Sequence, residues 1–377
     1  MSNDVFIVST GSFLPGDPIP SDEVESFLGQ VHGKTCPLKR RVLKSNGIQT
    51  RHYALDREQR VTHSLEDLAK NAARECLEKG SFEPSDITLL TTATSQGDLA
   101  LPGFASMVQG ALDIPACEIL SAHGVCNSGM MALKAAINGI KIGEHQTALA
   151  CAAEMPSRQL RASRYEAALA SETSPRFEAD AAFLRWMLSD GAGALVLSGH
   201  PKRNGLSLRI EWLRLRSFAH ALPVCMYAGQ SPRQGALHSW LDYPTYAEAE
   251  ADGAMLLRQD TRLLDHIVKL GVQELLEVIK MGMICVDEVD HFLCHYSSHY
   301  FKGPIAELLT LSGAMIPEEK WFTNLYTQGN TGCASMYIML DGLLESGQLK
   351  AGQTLLCVVP ESGRFSVSIS KMKVVEA

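Results

Sequence analysis

Cys126 stands in the run Ser121-Ala122-His123-Gly124-Val125-Cys126-Asn127-Ser128-Gly129-Met130. A short apolar strand gives way there to a small-residue turn, and a helix-like run follows over residues 131–141. A thiol at a helix N-terminus faces unpaired N–H groups and the positive end of the helix dipole, which favours thiolate over thiol. The same N–H groups can hold a developing oxyanion. The pattern suits a cysteine that takes up an acyl group as a thioester, splitting one hard step into two. Two more residues could complete the chemistry. His295 ends the apolar run Phe292-Leu293-Cys294, and Asn330 sits in Gly329-Asn330-Thr331-Gly332 ahead of another helix. N–H donors from a His and an Asn, converging on one point, would stabilise an enolate. The His must be neutral for that role, and burial keeps it neutral.

These residues need a scaffold, and the chain reads as alternating strands and helices. Residues 5–8 form a buried strand that stops at the small residues of 10–16. Apolar residues at helical spacing mark 63–80, ending at Gly80. Strands follow at 86–94 and 118–121, with a helix between them at 104–112. A buried strand at 147–153 ends at Glu154, and Asp190-Gly191-Ala192-Gly193 feeds one more. The alternation indicates an α/β protein with a largely parallel core. The second half repeats the order. Residues 263–280 correspond to 63–80, 286–295 to 84–93, 305–311 to 104–112, 326–334 to 123–131, and 353–361 to 146–154. Two copies of one unit, 1–200 and 201–377, would place equivalent loops face to face. Cys126 would then meet His295 and Asn330. Residues 155–189, which hold Arg158, Arg161, Arg164, Pro175 and Trp186, break the pattern, as do residues 220–260. They suit lids, tunnel walls or subunit contacts alike.

The bulk properties narrow the function. The 377 residues are 46% hydrophobic and 20% charged, with a formal charge of −8, so no basic face is available for nucleic acid. Ten cysteines contain no C-x-x-C pair, which argues against a zinc ribbon, a redox motif or another metal site. The N-terminus has no basic leader pattern, and no apolar run is long enough to span a membrane. A soluble cytoplasmic protein is expected.

Six segments in order carry a resemblance. They are Thr10-Gly11-Ser12-Phe13-Leu14-Pro15, Asn46-Gly47-Ile48-Gln49-Thr50-Arg51-His52, the Cys126 turn, Asp190-Gly191-Ala192-Gly193-Ala194, His295, and Gly329-Asn330-Thr331. Over nearly its whole length the chain resembles the thiolase superfamily, and within it the β-ketoacyl-acyl-carrier-protein synthase III family. The resemblance implies a five-layered αβαβα thiolase fold built from two duplicated halves, with Cys126, His295 and Asn330 as the catalytic triad. It implies an oxyanion hole made by the Cys126 N–H and one N–H of the Ser362-Gly363 turn. It further implies acyl-CoA or acyl-carrier-protein thioesters as substrates, no cofactor, and a homodimer across a continuous sheet, which would suit the strand at 147–153.

Departures bear on the substrate. The family's tryptophan clamp is absent from Leu38-Lys39-Arg40-Arg41-Val42-Leu43-Lys44, and Tyr300 stands where an arginine follows the catalytic His. The family's glycine-rich C-terminal turn becomes Glu361-Ser362-Gly363-Arg364-Phe365. Lys39, Arg40, Arg41 and Lys44 form either a docking patch for an acidic carrier protein or a solvated face. Glu154 either holds a loop, or pairs with Arg158, or serves as a second base. As a base it would point to the ketosynthase–cyclase branch that makes cyclohexanedione and dialkylresorcinol rings. His123 and His299 read as core or supporting residues. The expected activity is a Claisen condensation in polyketide, fatty-acid-derived or other secondary metabolism. Acyl transfer to oxygen or nitrogen is one alternative, and a non-catalytic subunit of a heterodimeric ketosynthase is another.

Overall fold

In the computed structural model, which describes residues 3–171, 180–231 and 238–376, ten strands build the main sheet. The first five are β1 (Phe6–Phe13), β2 (Leu89–Thr94), β3 (Glu118–His123), β4 (Thr147–Glu154) and β5 (Gly191–Ser198). The second five are β6 (Leu206–Ser217), β7 (His291–Cys294), β8 (Trp321–Phe322), β9 (Thr354–Glu361) and β10 (Ser366–Glu376). Their spatial order is β8-β7-β9-β10-β6-β1-β5-β4-β2-β3, so each half has the same internal order. The halves join where β1 meets β6 through Phe6↔Arg209 and Ile7↔Leu208.

The sheet is mixed, not largely parallel. β2 pairs in parallel with β3 and β4, and β7 with β8 and β9. β5 and β10 return antiparallel. The reason is the connection: a parallel pair needs a crossover, and β9 turns straight into β10 at 362–365.

Apart from α1 (Lys39–Asn46), which packs against residues 183–186 and 299–301, the helices that cover the sheet are α2 (Leu65–Gly80), α3 (Phe104–Ala111), α4 (Ser128–Lys141), α5 (Leu264–Lys280), α6 (Lys302–Leu311) and α7 (Ser335–Glu345). Strand side chains alternate between faces. Ala148, Ala150 and Ala152 of β4 face a core shared with α4 and α7, as do Leu355, Cys357 and Val359 of β9. Leu149, Cys151 and Ala153 face α2 and α3. Leu356 and Val358 face α5 and α6. Five layers, αβαβα, result.

Local chemistry sets the ends. Ser64 caps α2 in a reciprocal box with Asp67, and Leu65, Leu68, Ala69, Ala72, Ala73, Cys76 and Leu77 form its buried stripe. β1 runs on to Phe13, past the stop read at 10–16. Gly11 is inside the strand because a Cβ there would lie 2.5 Å from the Ala72 carbonyl oxygen of α2. The middle layer is as close: a Cβ on Gly129 would fall 2.3 Å from Cys333 O, and Tyr337 Oη donates to Gly129 O at 2.8 Å.

One further expectation changes and another is narrowed. β4 is paired on both sides, so it cannot extend the sheet into a second copy. The sheet ends at β3 and at the two-residue β8, and residues 118–121 of β3 are exposed. Residues 155–189 and 220–260 supply Phe183, Leu184, Met187, Leu188, Met226 and Leu257 to a cavity wall, while Pro175 lies outside the described residues. No helix among the described residues is long and apolar enough to cross a membrane.

Candidate active site

Cys126 sits in a tight turn two residues ahead of α4. Val125 O accepts the Ser128 N–H at 3.1 Å and the Ser128 hydroxyl at 2.7 Å. The N–H groups on either side of the cysteine are occupied. Val125 N and Asn127 N donate to Glu361 Oε2 at 3.2 and 2.8 Å. The Asn127 amide donates to Ser366 Oγ at 2.8 Å. The expectation of a stabilised thiolate is therefore overturned. Burial pushes the Cys126 thiol well above its ordinary range, and the charges of Glu361 and Glu154 push it further. Burial disfavours the charged thiolate first, and the two carboxylates act in the same direction.

His295 follows β7, with its N–H donated to Val358 O at 2.9 Å. Its ring is buried, and Nε2 has no partner among the described residues. Burial lowers its pKa to about 4, so the imidazole is neutral near pH 7, as a hydrogen-bond donor must be. Asn330 is set by Gly329, whose φ of +74° suits glycine and where a Cβ would stand 2.8 Å from Ser189 Cβ. Asn330 O accepts the Ser189 N–H at 2.8 Å, and Asn330 Oδ1 accepts the Gly332 N–H at 3.0 Å. The side-chain oxygen is thus engaged and Nδ2 remains to donate. Cys126, His295, Asn330, Glu154 and Ser362 line one cavity.

Residues 283–365 match the family described as 3-Oxoacyl-[acyl-carrier-protein (ACP)] synthase III C terminal, and residues 104–202 match Beta-ketoacyl synthase, N-terminal domain. Cys126 lies in the second stretch, His295 and Asn330 in the first. The chain is a β-ketoacyl synthase III-like condensing enzyme. A Beta-ketoacyl-[acyl-carrier-protein] synthase III of Ehrlichia ruminantium (strain Gardel) is 23% identical to it over 360 residues, 95% of each chain. AbyA1, a tetronic acid condensing enzyme, superposes with a TM-score of 0.76 at 20% identity over 98% of this chain and 99% of its own. Xanthomonas campestris OleA, solved with bound lauric acid and lauroyl-CoA, gives a TM-score of 0.76 at 21% identity over 99% and 100%. These structures share the thiolase fold with the condensing enzyme described here.

Glu154 of the condensing enzyme ends β4 and faces the cavity. Its carboxylate accepts Ser95 Oγ at 2.5 Å, Ser95 N at 3.3 Å and Cys333 N at 3.3 Å. It does not pair with Arg158, which engages Asp98. Burial raises its pKa, against the pull of those donors. Ser362 reaches the cavity, whereas Gly363 packs behind the Cys126 turn, where a Cβ would lie 2.9 Å from Val125 Cγ2. Lys39 pairs with Glu25 at 2.8 Å, while Arg40, Arg41 and Lys44 are exposed, and none of the four lines the cavity. His123 is an exposed residue on a neighbouring groove, not a core residue. His299 Nδ1 is engaged by Tyr326 Oη at 2.7 Å, and Tyr300 is exposed. Among the described residues, Glu118, Glu144 and His145 bring possible metal ligands together, at the surface and outside the cavity.

The repeat also needs a correction. Ser128 and Ser335 open equivalent helices, and Thr147 and Thr354 open equivalent strands, at one constant spacing. That spacing matches Cys126 with Cys333 and His123 with Asn330, four residues away from the correspondence read in the sequence. It also matches Glu154 with Glu361. Sequence reasoning singled out Glu154 and passed over Glu361, although the matched strand ends were the available signal.

Proposed function

We propose that the enzyme joins two acyl thioesters through an acyl-Cys126 intermediate. Cys126 Sγ bonds to the carbonyl carbon of the first thioester, and the donor thiol departs with the cysteine's proton. A malonyl thioester then loses carbon dioxide, or Glu154 takes a proton from a β-ketoacyl thioester. Either leaves an enolate, held by N–H donors from His295 and Asn330. Its carbon attacks the acyl carbon, and Cys126 leaves as thiolate and regains a proton. The oxyanion of the acylation step is met by the backbone N–H of Cys126 and one from the Ser362-Gly363 turn.

The observation that carries this reading is the shared cavity: a nucleophile, two enolate donors and a raised carboxylate face one space. The cavity also has a long apolar wall. Leu264, Ile267, Val268, Gly271, Val272 and Leu275 line it along one face of α5, about 16 Å at 1.5 Å per residue. An extended chain advances about 1.2 Å per bond, so a linear acyl group of roughly a dozen carbons fits that wall. Lauric acid, bound in OleA, is a chain of that length. The roles of substrate donor and carrier protein, the latter docking on Arg40, Arg41 and Lys44, belong to this proposal. So do a cytoplasmic homodimer joined through β3 edges, a division of the chain near residue 200, and the need for no cofactor.

Acyl transfer to oxygen or nitrogen would give Asn330 Nδ2 no task, and a non-catalytic subunit would not need Cys126. The test is product analysis with acyl, malonyl and β-ketoacyl thioesters, with Cys126 adducts followed by mass spectrometry. A mass shift on Cys126 and a β-keto product are expected. Absence of any adduct overturns the reading. Loss of only a cyclised product in Glu154→Gln would assign the second base, and identical products from both proteins would remove it.

A further inference from the structure

Glu361 is a buried carboxylate that the reaction above leaves without a role. It does not line the cavity, although Pro360 and Ser362 on either side of it do. It lies beneath the nucleophile turn, where its Oε2 takes the N–H groups that bracket Cys126. The space is closed. A Cβ on Gly363 would come within 3.2 Å of Glu361 Oε1, and one on Gly124 within 3.9 Å of Oε2. Glu154 makes the mirror contact from the other half, accepting the Cys333 N–H, and a Cβ on Gly332 would stand 2.9 Å from its Cγ. Each half thus sends the carboxylate that ends its fourth strand into the turn of the opposite half. Only one of the two turns holds the cysteine that faces substrate.

We propose that Glu361 is a positioning residue that clamps the Cys126 turn and, through its negative charge, keeps the resting nucleophile a thiol. The inference rests on Cys126 being the nucleophile. The groups facing Cys126 are Glu361 from the end of β9, Glu154 from the end of β4, the neutral ring of His295 after β7, and Cys333 ahead of α7. No cation among them offsets the two carboxylates. Burial raises the Glu361 pKa, and the Asn127, Ser366 and Val125 donors, which favour the charged form, offset part of that rise. The resting sulfur is consequently a poor target for stray electrophiles, and its proton leaves only as a bound thioester is attacked.

The test reads the thiol directly, in the full-length enzyme without substrate. The rate of Cys126 labelling by iodoacetamide is followed on its peptide by mass spectrometry from neutral to alkaline pH. Glu361→Gln keeps an oxygen able to accept both N–H groups and removes only the charge. Its labelling midpoint should fall by about one pH unit or more, with labelling at neutral pH about threefold to tenfold faster because a lower-pKa thiolate is also less nucleophilic. Glu361→Asp, which keeps the charge, should retain the wild-type midpoint. Glu361→Ala should also label at lower pH and lose most turnover, since the turn is no longer clamped. A Glu361→Gln profile that superimposes on wild type overturns the inference, as does a Glu361→Asp profile that shifts with it. Because iodoacetamide needs no acyl chemistry, this outcome is separable from failure of the condensation reading, which shows as no thioester adduct in the wild type.

Discussion

Cys126 and Cys333 occupy matching places two residues ahead of α4 and α7, yet only Cys126 lines the cavity. Cys126 is 9% exposed, whereas Cys333 is 1% exposed and its Sγ contacts the carbonyl oxygens of Ala93 and Ala153. Each turn is gripped by a carboxylate from the opposite half. The duplicated architecture therefore makes two matching helix starts, of which one faces the cavity. Apolar packing around α5, together with His295 and Asn330, opens space in front of the first sulfur. The second is sealed between β2, β4 and α4. In the proposed mechanism a cysteine at a helix start is required, but the position alone is not sufficient.

The largest separation between the two turns should come from their sulfurs. Cys126→Ala is expected to lower product formation by about 10³-fold or more, measured as condensation product per enzyme. If Cys333→Ala were to cost as much, the assignment of one reactive turn would fail. Next, His295→Ala and Asn330→Ala should each slow condensation by about 10²- to 10³-fold while leaving the acyl-Cys126 adduct visible by mass spectrometry. Equal loss of the adduct would move both residues into the acylation step.

A third contrast is in pH. His295 titrates at about 4 in the fold against 6.5 for the free side chain. The unfolded chain takes up this proton first, so stability is lost as pH falls from about 6.5 to about 4, on the order of 3 kcal/mol in full. Asp190, raised to about 6 by burial, works in the opposite sense, because the folded state takes up its proton first. The difference in unfolding free energy between wild type and His295→Gln isolates the imidazole. It should shrink across that window, and a constant difference would contradict burial as the cause.

Smaller effects probe the contact between the turns. Gly129→Ala forces a methyl against Cys333 O and should cost about 1–3 kcal/mol in chemical denaturation. Cys333→Ala should cost about 1 kcal/mol and leave turnover within about twofold. A null result for Gly129→Ala would mean that α4 and α7 are less tightly apposed than the geometry indicates.

Much of the fold was legible along the chain. The apolar runs in 147–154 and 354–361 mark buried strands, the spacing of Leu65, Leu68, Ala72 and Leu77 marks a helix, and the recurrence of both marks a repeat. Cys126, His295 and Asn330 were legible as well, because each sits where a strand or helix begins or ends. Other features were hidden. Gly11 read as a stop, since nothing nearby in sequence reveals that α2 needs its missing side chain. The strand at 147–153 read as an interface because it is apolar, while the edge strand β3 carries no such mark. The thiolate expectation counted the helix terminus and omitted Glu361, which enters the turn from more than two hundred residues away.

Local order, the duplication and the identity of the reacting groups follow from the amino-acid sequence itself, because side-chain periodicity and turn chemistry act between neighbours. Which of two equivalent cysteines meets a cavity, and the direction in which its pKa moves, was decided only by the tertiary structure. Exposure and pKa depend on the dielectric and charges that distant segments bring to a point, here Glu154, Glu361 and α5 around Cys126.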